Sequence, residues 1–405
     1  MESLRELYRT GAGPSSSHTM GPQRAALMFR KKYAHASVFR VTLYGSLAAT
    51  GRGHLTDVAL TNALYPHGVE IIWQPNTVLP FHPNGMQFEA LDADKKRLGD
   101  WQVFSVGGGA LREEGAPAAP SVYKLSTMRQ ILDWCEKNNA PLWKLVETTE
   151  GPDIWAHLKN AWAGMEMALS RGMAAEGNLP GGLKLKRKAR NVLFTAQRLE
   201  GEPQRSSLLS AYALAVMEEN ASAGIVVTAP TCGACGIVPA VLKYWQTAKN
   251  CSEDEILKAL ATAGIIGNLV KTNASISGAE VGCQGEVGTA CAMAAAAAAQ
   301  LLGGTPRQIE YAAEMGLEHH LGLTCDPVLG LVQIPCIERN VFAATRAVHA
   351  AEYAMLSDGS HRVPFDEIVK AMKESGAALP SSLRETSQGG LARLYAQAAS
   401  TPARW

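Results

Sequence analysis

The sequence carries almost no net charge: 38 Lys and Arg stand against 37 Asp and Glu, a formal +1. A balance this even offers no bulk field to nucleic acid or to an anionic membrane surface, so neither is expected as a partner. Long hydrophobic runs are also missing. No stretch approaches the roughly 20 apolar residues that a membrane span needs. The opening residues, MESLRELYRT, are charged where a secretory leader would be apolar. The cytoplasm is therefore the expected compartment. Nothing in the composition suggests disorder, with 47% hydrophobic and 19% charged residues. Eight cysteines are present. In a reducing compartment they do not imply a disulfide framework, and most are expected to be small buried hydrophobes.

A chain of 405 residues is long for one hydrophobic core, so two domains are expected. The first third reads as mixed α and β. Residues 22–33 have helical spacing with proline at the start. Segments 37–45, 68–74, 86–92 and 101–106 read as strands, the last two as a hairpin around a polar turn. The stretch REEGAPAAPS (112–121) reads as the interdomain linker. Strand signals then nearly vanish, and helices are expected over 124–139, 153–172, 187–199, 205–222, 253–270, 286–302, 306–319, 340–356 and 365–375. The alanine run AMAAAAAAQ (292–300) has high helix propensity and little bulk, which suits a buried central helix. The expected class is α+β: a small α/β domain over 1–120, then a larger all-helical domain over 121–405.

The chemistry concentrates in the loops. In LTCDPVLGLVQIPCIERN (323–340), Cys325 and Cys336 each sit beside a proline. Two thiols on stiff, irregular backbone are expected there. Cys283 lies among glycines in SISGAEVGCQGEVGTA (275–290). Three such cysteines among hydroxyls and free N–H donors suit a metal–thiolate centre, although their spacing matches no short zinc or ferredoxin pattern. Buried structural cysteine is the bland alternative. Cys232 and Cys235 form a C-x-x-C, but not in a thioredoxin-like setting.

A second cluster, GAGPSSSHTMGP (11–22), brings Ser15, Ser16, Ser17, His18 and Thr19 to a helix N-terminus, where an anion such as a carboxylate is favoured. In GSLAATGRGHLTD (45–57), His54 lies in a glycine-rich setting and is a proton-transfer candidate. HPNGM (82–86) reads as a polar turn, and His319–His320 as structural. SVGGGAL (105–111) could cradle a phosphate, including that of pyridoxal phosphate, but a strand-terminating turn is the plainer reading. The basic run LKLKRKAR (183–190) reads as a solvated helix start.

Six segments in order, GPSSSHTMGP, YGSLAATGRGH, TAPTCGACGIVPAVL, NASISGAEVGCQGEVG, GLTCDPVLGLVQIPCIERN and RETSQGGLA, resemble the iron–sulfur L-serine dehydratases in their single-chain form, with beta and alpha domains fused. The likeness runs from about residue 4 to about residue 392. It implies a small domain like the allosteric substrate-binding domain of phosphoglycerate dehydrogenases, and a helical domain carrying a [4Fe–4S] cluster. It implies cluster ligands at Cys283, Cys325 and Cys336, with one iron open to substrate. L-serine would be converted to pyruvate and ammonia. His54 would be the base, with His18 as second choice or substrate orienter. Ser15, Ser16, Ser17, Thr231, Asn273, Ser275 and Ser277 would contact substrate or cluster, and Arg339 and Arg384 would balance charge. A homodimer is usual in the family.

Two departures stand out. The family often carries a cysteine near its C-terminal end, whereas no cysteine follows Cys336 here, so a resting site with water or another small ligand is expected. Cys232 stands where asparagine is common. The alternatives kept open are a cluster-dependent lyase for another β-substituted amino acid, a pyridoxal-phosphate lyase, and a serine-binding sensor without turnover.

Overall fold

The computed structural model describes residues 1–117 and 119–399; the expected linker and tail extend to Ala118 and residues 400–405, which lie outside them. Five strands form one sheet: β2 (Val38–Tyr44), β3 (Gly68–Gln74), β4 (Gly85–Leu91), β5 (Arg97–Ser105) and β6 (Leu111–Arg112), in the order β3-β2-β4-β5-β6. Strand β1 (Thr10–Ala12) pairs instead with β7 (Ile225–Val227). Alternation dictates the buried face. In β2, Phe39, Val41 and Leu43 are buried while their neighbours are partly exposed, as the period of two requires. The buried face packs against the Gly21–Lys32 and Thr56–Leu64 helices through Phe29, Phe88 and Leu60. On the outer face Arg40 bridges strands to Glu70 at 3.0 Å and Glu89 at 3.6 Å.

Strands β2 and β3 are parallel, so a crossover must join them. The Gly45–Thr50 and Thr56–Leu64 helices make that crossover, and His54 lies between them, beyond the carboxyl end of β2. In parallel units this end is where ligand sites are built.

The helical part surrounds the Thr289–Leu301 helix, in which every residue from Thr289 to Ala299 is buried. Its alanines allow backbones to approach closely. A Cβ on Gly316 would lie 2.8 Å from the Ala292 Cα. The Glu253–Asn273 and Pro306–Glu318 helices open with capping boxes at Ser252 and Thr305. Leu4, Leu7 and Tyr8 join this core, so the first residues are built into the helical part rather than the sheet. No helix among the described residues is long and apolar enough to cross a membrane.

Several expectations need correction. Cys336 is not on irregular backbone; it opens the Cys336–Met355 helix, with Pro335 as the preceding cap residue. Proline fits there because the first-turn N–H groups have no intrahelical partner. The supposed linker begins inside β6, since Arg112 pairs with Phe104. The Leu142–Glu150, Ile237–Ala248 and Gly390–Ala399 helices escaped the sequence reading, as did both crossover helices. HPNGM is not an exposed turn, because His82 and Asn84 are buried.

Candidate active site

The serine-rich segment folds as a single wide turn, Ser16–Met20, that runs directly into the Gly21–Lys32 helix. Ser15 caps it: its Oγ accepts from the His18 N–H at 3.1 Å. The turn is pinned from both sides, since Thr19 Oγ1 donates to the His54 carbonyl at 2.7 Å and Thr56 Oγ1 to the His18 carbonyl at 2.6 Å. His18 and His54 are thereby locked together, with ring centroids 4.6 Å apart and both rings buried.

Their hydrogen bonds fix the tautomers. The His54 Nδ1 lies 3.0 Å from the Thr50 carbonyl, which only accepts, so Nδ1 carries the proton and Nε2 keeps a free lone pair. Burial lowers the His54 pKa to about 4, so this ring is a neutral base near pH 7. Ser46 Oγ donates to the Glu385 carbonyl at 2.6 Å and so accepts from His18 Nε2 at 3.2 Å. His18 Nδ1 is then the acceptor, 2.9 Å from Ser17 Oγ. Burial, with His54 beside it, pushes the His18 pKa well down.

Glu385 completes the group, and sequence reading missed it. Its Oε1 lies 3.3 Å from His18 Nδ1 and 3.8 Å from His54 Nε2. The residue is buried and holds φ of +56°, a conformation that ordinary side chains avoid. Its N–H donates to the Cys325 carbonyl at 2.7 Å. Burial first, then Glu286 and Cys283, push its carboxyl well up. Burial thus acts in opposite senses on acid and imidazole, and keeps the Glu385–histidine group without net charge.

The three cysteines come together on the helical side. Cys283, Cys325 and Cys336 are all buried and free. The sulfurs of Cys283 and Cys325 and a carboxylate oxygen of Glu286 lie within 4.8 Å of one another, an arrangement that could hold a metal. Cys336 lies outside that group of three but near it: burial, then Cys283, push its thiol up. The Arg339 guanidinium stands among all three; burial lowers its pKa, and the sulfurs more than offset this. Glu286 accepts from Thr231 Oγ1 at 2.7 Å, and burial raises its carboxyl.

Two features show that the donor set fits a group larger than its own side chains. Gly278 sits at the centre, where an added Cβ would meet Glu286 Oε2 at 2.9 Å and Cys325 Sγ and Glu385 Oε2 each at 3.2 Å. Around it, Ser277 Oγ, Glu385 Oε2 and Arg384 Nε are buried without hydrogen-bond partners among the described residues. Such atoms are costly to leave unpaired, and their concentration here marks a place for a ligand.

The histidine loop docks directly on the cysteine loop. A Cβ on Gly53 would fall 2.3 Å from the Gly330 carbonyl, so only glycine allows the approach. Gly330 lies between Cys325 and Cys336, and this contact sets the distance from His54 to the thiols.

Other predicted residues have different roles. Asn273 donates to the Ser126 and Leu269 carbonyls, ending its helix, and has no contact with the histidines among the described residues. Ser275 donates to Glu280, and Ser277 N–H to Ser275 Oγ at 3.0 Å. Ser15, Ser16 and Ser17 are buried in the turn beside His18. Cys232 Sγ lies 3.3 Å from Met20 Sδ, in an apolar contact. The Gly107–Gly109 turn is packed against Ile276, Ser277, Pro230 and Met20. Lys271 is bound to Glu2 Oε2 at 2.5 Å, so its amine is not free for a Schiff base.

Comparison with known proteins matches residues 101–392 to the family described as Serine dehydratase alpha chain. Residues 3–68 and 62–116 match Serine dehydratase beta chain. The chain is 43% identical to the L-serine dehydratase of Streptomyces coelicolor, across 96% of this chain and 98% of that one. It is 41% identical to L-serine dehydratase 1 of Escherichia coli K12, across 97% and 99%. It is 40% identical to the L-serine dehydratase of Haemophilus influenzae, again across 97% and 99%.

Proposed function

This chain belongs to the serine dehydratase family, with the family's beta and alpha parts in one polypeptide, and on that premise we propose how it deaminates L-serine to pyruvate and ammonia. The observation that supports the reading is Glu385, whose Oε1 lies 3.3 Å from His18 Nδ1 and 3.8 Å from His54 Nε2 while its N–H donates to the Cys325 carbonyl.

Cys283, Cys325 and Cys336 would hold a [4Fe–4S] cluster, and Gly278 and the unpartnered polar atoms around it support that fit. When bound, such a cluster supplies a Lewis-acidic iron that assists departure of the substrate's hydroxyl. Arg339 offsets the negative charge of the thiolates. Proton removal falls to the protein. His54 Nε2 takes the α-proton of serine, because it alone of the pair has a free lone pair. The imidazolium then formed faces Glu385 Oε1, which stabilises it. His18, held by Ser17, orients Glu385, and Ser15 and Ser16 present hydroxyls to the substrate carboxylate. Ser277 and Thr231 are further candidates for substrate contact, Ser277 through its unpartnered Oγ. Asn273 and Ser275 act at one remove, holding the backbone of the same loop. The aminoacrylate released rearranges and hydrolyses to pyruvate and ammonia.

The division at residue 120, a homodimer and a cytoplasmic location complete the reading. The test is anaerobic protein offered L-serine and a panel of β-substituted amino acids, with keto acid and ammonia measured together. Serine should be turned over with equal yields of both. A panel member turned over while serine is refused would support the second reading, for which Cys232 in place of asparagine is the motive.

A further inference from the structure

A cavity of about 500 Å³, with none of the three cysteines in its lining, lies between the outer face of the Gly21–Lys32 helix and the Asp153–Ala174 helix. Clefts of this order hold metabolite-sized molecules. One wall is apolar: Met20, Leu27 and Met28 line it, and Leu27 and Met28 are 43% and 51% exposed. The Gly21–Lys32 helix buries its opposite side, through Ala25, Ala26 and Phe29, against the sheet. Arg24 stands beside Leu27 and Met28 on the same helix, Arg5 and Arg9 face it from the first residues of the chain, and no carboxylate lines the cavity among the described residues.

The charges there are only partly compensated. Arg9 is paired with Glu6. Arg5 has only the Asp153 carbonyl, at 2.9 Å. Arg24 has no ion pair or side-chain hydrogen bond among the described residues, and Glu6 is the opposite charge near enough to attract it. His157, which also lines the cavity, has a buried Nε2 without a partner. Arg24 lies near enough to Arg9 to oppose its charge, and Arg5 does the same to His157. Three guanidiniums facing one cavity beside exposed aliphatic side chains form an amphipathic receptor. It matches an anionic head on an apolar body.

We propose that this cleft binds a small organic anion, whose charged end is held by Arg5, Arg24 and His157 and whose apolar part lies on Leu27 and Met28. The ligand bridges the sheet layer and the helical part. It also reaches Met20, the last residue of the turn that carries His18. The site is separate from the cysteine trio and does not depend on the reaction proposed above.

The test is calorimetric titration of the full chain at low ionic strength with three probes: butyrate, inorganic phosphate, and butylamine, which has the same tail and the opposite charge. Butyrate should bind saturably and butylamine should not. The double variant Arg5→Gln/Arg24→Gln should weaken butyrate by about tenfold or more. Leu27→Ser should weaken butyrate and leave phosphate unaffected. These side chains are exposed, and an unchanged thermal melt checks that the variants fold. Absence of saturable butyrate binding to the wild type overturns the proposal. So does butyrate binding that survives the double variant, or that ignores Leu27→Ser.

Discussion

Replacing Glu385 with leucine removes both carboxyl oxygens while keeping much of the side chain's bulk. The contact at risk is Oε1 to His18 Nδ1, at 3.3 Å, and behind it His54 Nε2 at 3.8 Å. Charge appears on the imidazole only after it has taken the proton, so the interaction strengthens along the reaction. A hydrogen bond to a charged group is worth about 1.5–3 kcal/mol. At 1.36 kcal/mol per decade this converts to a loss of roughly ten- to 150-fold in kcat. Ground-state binding of serine should change little, so KM should stay near the wild-type value. The fold should hold as well, because an apolar side chain is cheaper to bury than an acid whose charge burial already opposes. The assay is steady-state keto acid formation by anaerobic protein, with iron content and thermal midpoint measured on the same preparation. Unchanged kcat with intact iron would refute the role given to Glu385. A fall in kcat matched by a fall in iron would refute it too, since Glu385 would then be holding the cysteine loop.

His54→Ala should retain cluster absorbance and lose most turnover, by about 10²–10⁴-fold as for other general bases; unchanged turnover would remove His54 from the chemistry. Lower pH protonates the base, and with the His54 pKa near 4 the acid limb of kcat/KM should lie well below the ordinary imidazole value of about 6.5. A reversible midpoint at or above that value would contradict the buried, neutral His54. Substituting Cys283, Cys325 or Cys336 with alanine should remove bound iron and activity together, and retained iron would reassign the ligand. Gly172→Ala would set a Cβ 1.9 Å from the Ala215 carbonyl oxygen, where two helices cross. Overpacking of this kind costs about 1–3 kcal/mol, so the thermal midpoint should fall by several degrees; an unchanged melt would mean that the helices part freely.

Strands β2, β3 and β4 were legible because alternation of buried and exposed residues is a local signal, visible in VFRVTLY without its partners. Strands β1 and β7 were not, since three residues hold no periodicity and their pairing joins distant parts of the chain. The Ile237–Ala248 helix was obscured by Pro239, which its first turn tolerates. At the site, the cysteines and both histidines lie in glycine- and proline-rich loops, but the family resemblance, not the loops, raises the cysteines above ordinary buried thiols. Glu385 did not stand out, because a single glutamate in RETSQGG has no spacing that marks it. Only the fold brings it to His18 and His54, and only the geometry shows that it is buried. In the sequence Gly53 is only part of the glycine-rich setting of His54; in the fold it permits contact with Gly330.

The most direct measurement is an iron and acid-labile sulfide count on anaerobically purified chain, taken alongside serine-dependent pyruvate release from the same sample. Iron and sulfide in equal amounts should be found, with activity rising and falling with them across preparations. Full-rate pyruvate release from protein free of iron would contradict a cluster held by Cys283, Cys325 and Cys336.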